Sequence, residues 1–184
     1  MSTRRQVVYY VAVTADGYIA HEDGGVDGFL PEGPHIPDYL NSLRDYDTVL
    51  MGRYTYEFGY RYGLTPGQPV PTYAHMMQYV FSKSMEAYHH DQLRIIREDP
   101  AAFVRGLKSA PGGAIYLCGG SQLAGYLLEH RLIDRVILKV NPVFFGQGIP
   151  LFQGTHIVTE LTLLDSKTYA NGVQFQHYTV NLPD

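Results

Sequence analysis

The sequence predicts an α/β fold with a mostly parallel central sheet and a C-terminal hairpin, and three patterns carry that expectation. Residues 7–13 are apolar and β-branched or aromatic throughout, as suits a strand covered on both faces of a parallel sheet. Short apolar runs then alternate with helical patterns, the order of βαβ units. Finally, Asn171-Gly172 separates two alternating segments, 159–167 and 173–180, and this dipeptide favours tight hairpins because both positions tolerate positive φ.

Taken in order, strand 7–13 is expected at the sheet centre. Residues 14–20 and the Gly- and Asp-rich stretch 21–28 carry turn chemistry without apolar periodicity and read as a long functional loop. Pro37-Asp38 opens a helical pattern in which Tyr39, Leu40, Leu43 and Tyr46 recur at near-helical spacing, with Asp38 favouring the start through cap and dipole. Strand 48–51 ends at Gly52, where residues 53–57 can begin a helix, and residues 59–72 read as irregular connection. Runs 79–81 and 93–96, helix 99–109, strand 114–118 and helix 121–130 continue the alternation. Residues 135–145 are strand-like, and Pro142, which lacks a ladder donor, marks an edge, a bulge or a strand end. No repeat or linker interrupts the pattern, so one domain over residues 1–184 is expected.

Composition narrows the function classes. Apolar residues make up 45% and charged residues 17%, enough to fill a core without the charge load of disordered chains. A net charge of −4 with scattered Lys and Arg argues against a nucleic-acid partner. No apolar run approaches the ~20 residues that span a bilayer. Met1-Ser2-Thr3-Arg4-Arg5 shows no cleavage pattern, so a cytoplasmic protein without a membrane partner is expected. Cys118 is the single cysteine, which excludes an internal disulfide or a multi-cysteine zinc site and reads as a small buried residue. The eight histidines lack zinc-helix spacing and read as surface groups, and no metal is expected. Among the sixteen tyrosines, Tyr46, Tyr54 and Tyr56 suit stacking, core or dimer packing.

Three strand ends carry phosphate-suited chemistry. Cys118-Gly119-Gly120-Ser121 leads a strand into a helix, placing backbone amides and a helix dipole beside a turn free of Cβ bulk, although a ligand-free tight turn accounts for it equally well in isolation. Gly52-Arg53-Tyr54-Thr55 supplies a close-approach glycine, a cation and a hydroxyl, and Ser82-Lys83-Ser84 ends a third strand. Ligands of open α/β sheets collect at the carboxyl ends of strands, so these ends are expected to converge. Neither the Walker A pattern nor G-x-G-x-x-G occurs.

In these residues the chain resembles the dihydrofolate-reductase-like superfamily, specifically the reductase domain of the bifunctional riboflavin-biosynthesis deaminase-reductase. The resemblance rests on residues 12–20, 48–57, 115–123, 132–134 and 142–152, in that order. It implies a three-layer αβα fold and an NADPH-dependent reductase that delivers a hydride to a small pterin- or ribosylaminopyrimidine-like heterocycle. Carried over by position, it places Ala12 and Ile19 near the nicotinamide and Gly52, Arg53 and Thr55 at the pyrophosphate or adenosine side. Ser82 and Lys83 would meet the ribose and the extra phosphate of NADPH. Gly119 and Gly120 would be joined by a cis peptide, with Ser121, Gln122 and Leu123 closing over the phosphates. Asp38 is the candidate catalytic acid for the substrate ring, with a plain helix cap as its alternative, and Asp16 reads as a turn residue. One cysteine cannot build the deaminase zinc site, so the resemblance extends to the reductase half alone. A homodimer joined through sheet edges and late strands such as 135–145 is expected, and a non-catalytic nucleotide- or ligand-binding module on the same fold is the competing function.

Overall fold

The computed structural model describes residues 4–181, so the reading of Met1, Ser2 and Thr3 lies outside the described residues. The strands are β1 (Val7–Thr14), β2 (Tyr18–Ala20), β3 (Tyr46–Gly52), β4 (Met77–Phe81), β5 (Leu93–Ile96), β6 (Ala114–Gly119), β7 (Arg135–Asn141), β8 (Ile149–Pro150), β9 (Glu160–Thr168) and β10 (Gln174–Asn181). The α-helices are α1 (Ile36–Ser42), α2 (Arg53–Glu57), α3 (Pro100–Ser109) and α4 (Ser121–Glu129). Eight strands form one sheet in the order β5-β4-β3-β6-β1-β7-β10-β9, and β2 pairs with β8 in a small second sheet. The first six strands of that order run parallel, while β10 and β9 close the far end antiparallel.

Alternation along β1 explains the three layers. Val7 and Tyr9 face one core with Leu50, Leu117 and the apolar sides of α3 and α4. Val8 and Tyr10 face the other core with Met51, Tyr116 and Phe175, under α1 and the irregular segment after α2. The central strand is therefore apolar from Val7 to Val13 because both faces are covered.

Local chemistry sets several boundaries away from the sequence expectation. Leu43–Asp45 tightens into a 3-10 turn, so Tyr46 is the first residue of β3 rather than the last of the helix. Its buried ring packs 5.5 Å from that of Tyr116, a sheet contact whose spacing from Leu43 happens to imitate a helical period. β7 stops at Asn141, just before Pro142, and β7 lies inside the sheet between β1 and β10. The exposed edge at this end is β9, so 135–145 cannot be the pairing edge. In the hairpin only Gly172 takes positive φ, at 84°. Its amide donates to Tyr169 O at 2.9 Å, and this longer turn replaces the two-residue one that Asn171-Gly172 suggests. His35 is not a surface group: it is fully buried, with Nε2 3.2 Å from Leu30 O and Nδ1 3.1 Å from Asn171 Nδ2. Asn141, also buried, ties the loop to β7 by accepting from Leu30 N at 3.1 Å.

A buried ion pair anchors the amino end of the sheet. Lys108 of α3 is 2% exposed and pairs with Asp134, whose carboxylate also accepts from Val7 N at 2.7 Å. Removing one partner of such a pair strands the other charge in a low dielectric. Asp134→Ala is expected to cost about 3 kcal/mol, read as a lower urea midpoint with unchanged slope, while the double variant Lys108→Met/Asp134→Ala recovers much of that loss.

Candidate functional site

β3 pairs in parallel with both β4 and β6, so the ends at Gly52, Phe81 and Gly119 emerge on one edge of the sheet. The structure brings the three expected ends together there. A Cβ added to Gly52 would lie 3.6 Å from Gly120 N, and one added to Gly120 would lie 3.2 Å from Thr55 Oγ1. The glycines thus let two strand-to-helix turns touch through their backbones. Arg53 bridges to the third end, donating through Nη1 to Ser84 Oγ at 2.9 Å and through Nε to Glu57 Oε1 at 2.7 Å. The Gly119–Gly120 peptide is cis, as the resemblance implies.

The remaining expected contacts divide by burial. Ser121 is buried and its hydroxyl donates to Pro150 O at 2.5 Å, while Leu123 packs into the core. These two residues offer the ligand edge backbone rather than side chains, whereas Gln122 is exposed. Ser82 Oγ accepts from Met85 N at 3.0 Å, which shapes the turn after β4, and Lys83 is exposed beside it. Ile19 is half-buried in β2, which pairs with β8 and so folds part of the expected long loop against the site.

Next to this edge the sheet splits. β1 follows β6 only from Val7 to Tyr9, opposite Ile115 to Leu117, but follows β7 as far as Thr14. The parting opens a cavity of about 970 Å³ in which Ala12, Thr55 and Cys118 meet Tyr39, Tyr73 and Tyr116. Tyr39 and Tyr116 hydroxyls lie 3.4 Å apart, and Tyr73 OH lies 3.6 Å from Cys118 Sγ. Cys118 is half-buried rather than fully enclosed, and burial pushes its thiol pKa up, which disfavours the nucleophilic thiolate.

Asp38 is absent from the cavity wall and is not the cap residue, but it lies in the first turn of α1, where its charge favours the helix start. His35 occupies the cap position of α1, and no side chain caps the helix. Successive helical residues diverge by about 100°, so with Tyr39 turned to the cavity Asp38 points aside. Its Oδ2 accepts from Lys167 Nζ at 2.5 Å and Tyr169 OH at 2.6 Å, bonds that hold the carboxyl below its usual pKa. Lys139, which lines the cavity, escaped the sequence reading. Its signal was a lone cation inside the apolar run Val136-Ile137-Leu138-Lys139-Val140.

An open α/β sheet with a glycine-lined cradle at the carboxyl edge and a half-open aromatic cavity beside it is the frame of a reductase-type domain. The chain belongs to the RibD C-terminal domain family, whose pattern matches residues 5–175. It is 37% identical over 175 residues to the uncharacterized protein YwjB of Bacillus subtilis, covering 95% of this chain and 97% of that one. It is 28% identical over 177 residues to YyaP of the same organism, covering 92% of each. Among solved structures, it resembles the deaminase and 5-amino-6-(5-phosphoribosylamino)uracil reductase of Thermotoga maritima with TM-score 0.72 and 18% identity, over 96% of this chain and 56% of that one. Dihydrofolate reductase from Enterococcus faecalis, solved with NADP(H), superposes with TM-score 0.62 and 16% identity over 96% of each chain. No helix among the described residues is long and apolar enough to cross a membrane.

Asp16 fixes the turn after β1 to the loop at Phe145 and Gly146. Partial desolvation pushes its carboxyl pKa up, but hydrogen bonds from Thr14 Oγ1, Gly146 N and Phe145 N outweigh that effect and hold it below the usual carboxylate range. Asp16→Ala is expected to speed amide exchange at Phe145 and Gly146 roughly tenfold. Because the folded pKa is depressed, the same loosening should appear in the unaltered protein as pH falls through that value, and mass spectrometry of exchanged peptides reads both.

Proposed function

We propose that this protein is an NADPH-dependent reductase that transfers a hydride to a small heterocyclic acceptor. The observation that carries the reading is the continuity of the cradle with the aromatic cavity. A dinucleotide whose phosphates lie along Gly52, Arg53, Thr55 and the Gly119-Gly120 turn would direct its nicotinamide towards Ala12, where the sheet parts. Ser82 and Lys83 would take the phosphate that distinguishes NADPH, and Ile19 would cover the nicotinamide. When bound, the dinucleotide supplies the hydride, while the chain orients the reactants and excludes water. The cavity walls are largely aromatic and apolar, with hydroxyls from six tyrosines and three threonines, as suits a flat ring that carries polar edge groups.

NADPH is expected to raise Tm and to quench intrinsic tyrosine emission, and Arg53→Ala should weaken its Kd about tenfold, the worth of one charge-assisted contact. Loss of absorbance at 340 nm across pterins, ribitylaminopyrimidines and simple carbonyls then separates catalysis from ligand sensing. Binding without oxidation of NADPH by any of them would favour the sensing module.

The same reading includes a homodimer, now assigned to β9. Every residue of this strand is exposed, and Leu161, Leu163 and Leu164 remain 44%, 54% and 51% exposed on an unpaired edge. Leu163→Lys should convert a dimer into a monomer in sedimentation equilibrium without lowering NADPH affinity. A monomeric parent protein would remove this part of the proposal.

A further inference from the structure

Lys139 occupies a position that the packing does not require. In register it stands opposite Ala12 on β1 and Phe175 on β10, so the three share the sheet face covered by α1. It lines the cavity with Tyr10 and Tyr39. Among the described residues no carboxylate pairs with it and no hydrogen bond reaches Nζ. Burial holds its amine below the usual lysine pKa, and its charge in turn helps to lower the pKa of the His35 imidazole. A half-buried cation without a partner carries a desolvation cost that a ligand acceptor would offset.

The rest of the wall limits that ligand. Lys139 is the one basic group among the cavity-lining residues, and no acidic group joins it. The outer wall, where the tail of a bound ring would emerge, is Tyr62, Leu64, Pro69, Val70 and Pro71. Arg61 is turned outward over the Phe58 ring and donates to Asp23 O. No lining residue there offers the cationic fork that a phosphate monoester needs.

We infer that Lys139 contacts the acceptor directly, and that the acceptor is a planar conjugated carbonyl compound without a phosphate-bearing arm. This rests on the reductase reading above. If the bound dinucleotide supplied a hydride to the carbonyl carbon, the π pair would move to oxygen. That oxygen would take a proton from Lys139 Nζ, leaving an alcohol, the oxidised nicotinamide and a neutral amine that water reprotonates. Asp38, already committed to Lys167 and Tyr169, has no part in the step.

The test treats the full chain with salicylaldehyde and cyanoborohydride and maps modified lysines by mass spectrometry. The aldehyde is a flat carbonyl probe that should be reductively trapped on Lys139 ahead of exposed Lys83 and Lys167. 5-Amino-6-ribosylaminouracil should protect Lys139 at least as well as its 5′-phosphate. Labelling that spares Lys139, no protection by the nucleoside, or tenfold better protection by the phosphate would overturn the inference. Lys139→Met, checked for an unchanged Tm, should bind NADPH within twofold of the parent yet lose at least about a hundredfold in kcat on any reduced carbonyl; retained kcat also overturns it. Absence of NADPH binding by the parent protein counts against the reductase reading instead, and leaves the labelling result to decide the Lys139 contact.

Discussion

The parting of β1 from β6 beyond Tyr9 is the constraint on which the site depends. While the two strands are paired, their backbone groups satisfy one another and nothing can enter between them. Tyr9 lies where they separate: its ring approaches the Gly119 position, where an added Cβ would be 3.6 Å from Cε2, and its hydroxyl donates to Leu151 O at 3.1 Å. The wedge therefore has a packed floor. One side continues through Ala12 to Thr14 with support from β7, and the other turns through the glycine pair into α4. A gap between two firmly supported strands keeps its shape without a ligand, which reduces the ordering that binding would otherwise require.

The segment from Ile149 to Gln153 extends that support across the opening. β8 pairs with β2, Ser121 binds Pro150 O, and Gln153 N donates to Ser121 O at 3.2 Å. Gly125 allows the backbone of Gln153 to lie directly on α4, since a Cβ there would run into the Gln153 carbonyl oxygen. Asp16 completes the frame by holding Phe145 and Gly146. The loops at the carboxyl edge of the sheet are thus tied to one another at several independent points.

Much of this was legible because the relevant signals are local. A continuous apolar run marks β1, Gly-Gly between a strand and an amphipathic segment marks the β6–α4 turn, and Gly-Arg after a buried run marks the end of β3. Side-chain direction was less accessible. Asp38 and Tyr39 are neighbours, yet the helix turns one to the C-terminal hairpin and the other to the cavity. The partners that decide this, Lys167 and Tyr169, lie about 130 residues away in sequence: Asp38 and Tyr169 are separated by 131. The identity of the edge strand was similarly hidden, because only the order of pairing shows that β10 covers β7 and leaves β9 open.

Lys139 was missed for a related reason. In a run read as a strand, an isolated lysine is usually assigned to a solvent-facing position, where its stem can lie on the sheet and its head in water. β7 offers little of such a face: strands flank it on both sides, Val136 and Ile137 are buried in the two cores, and residues 138–140 are half-buried. Once β7 is interior, its alternation leaves the lysine two destinations, a core or a cavity, and register with Ala12 selects the cavity. The charge is then an expense to the empty fold and an asset to a fold holding a carbonyl or oxyanion. That difference in free energy between the two states is what allows one residue both to favour binding and to supply a proton when negative charge develops on the acceptor.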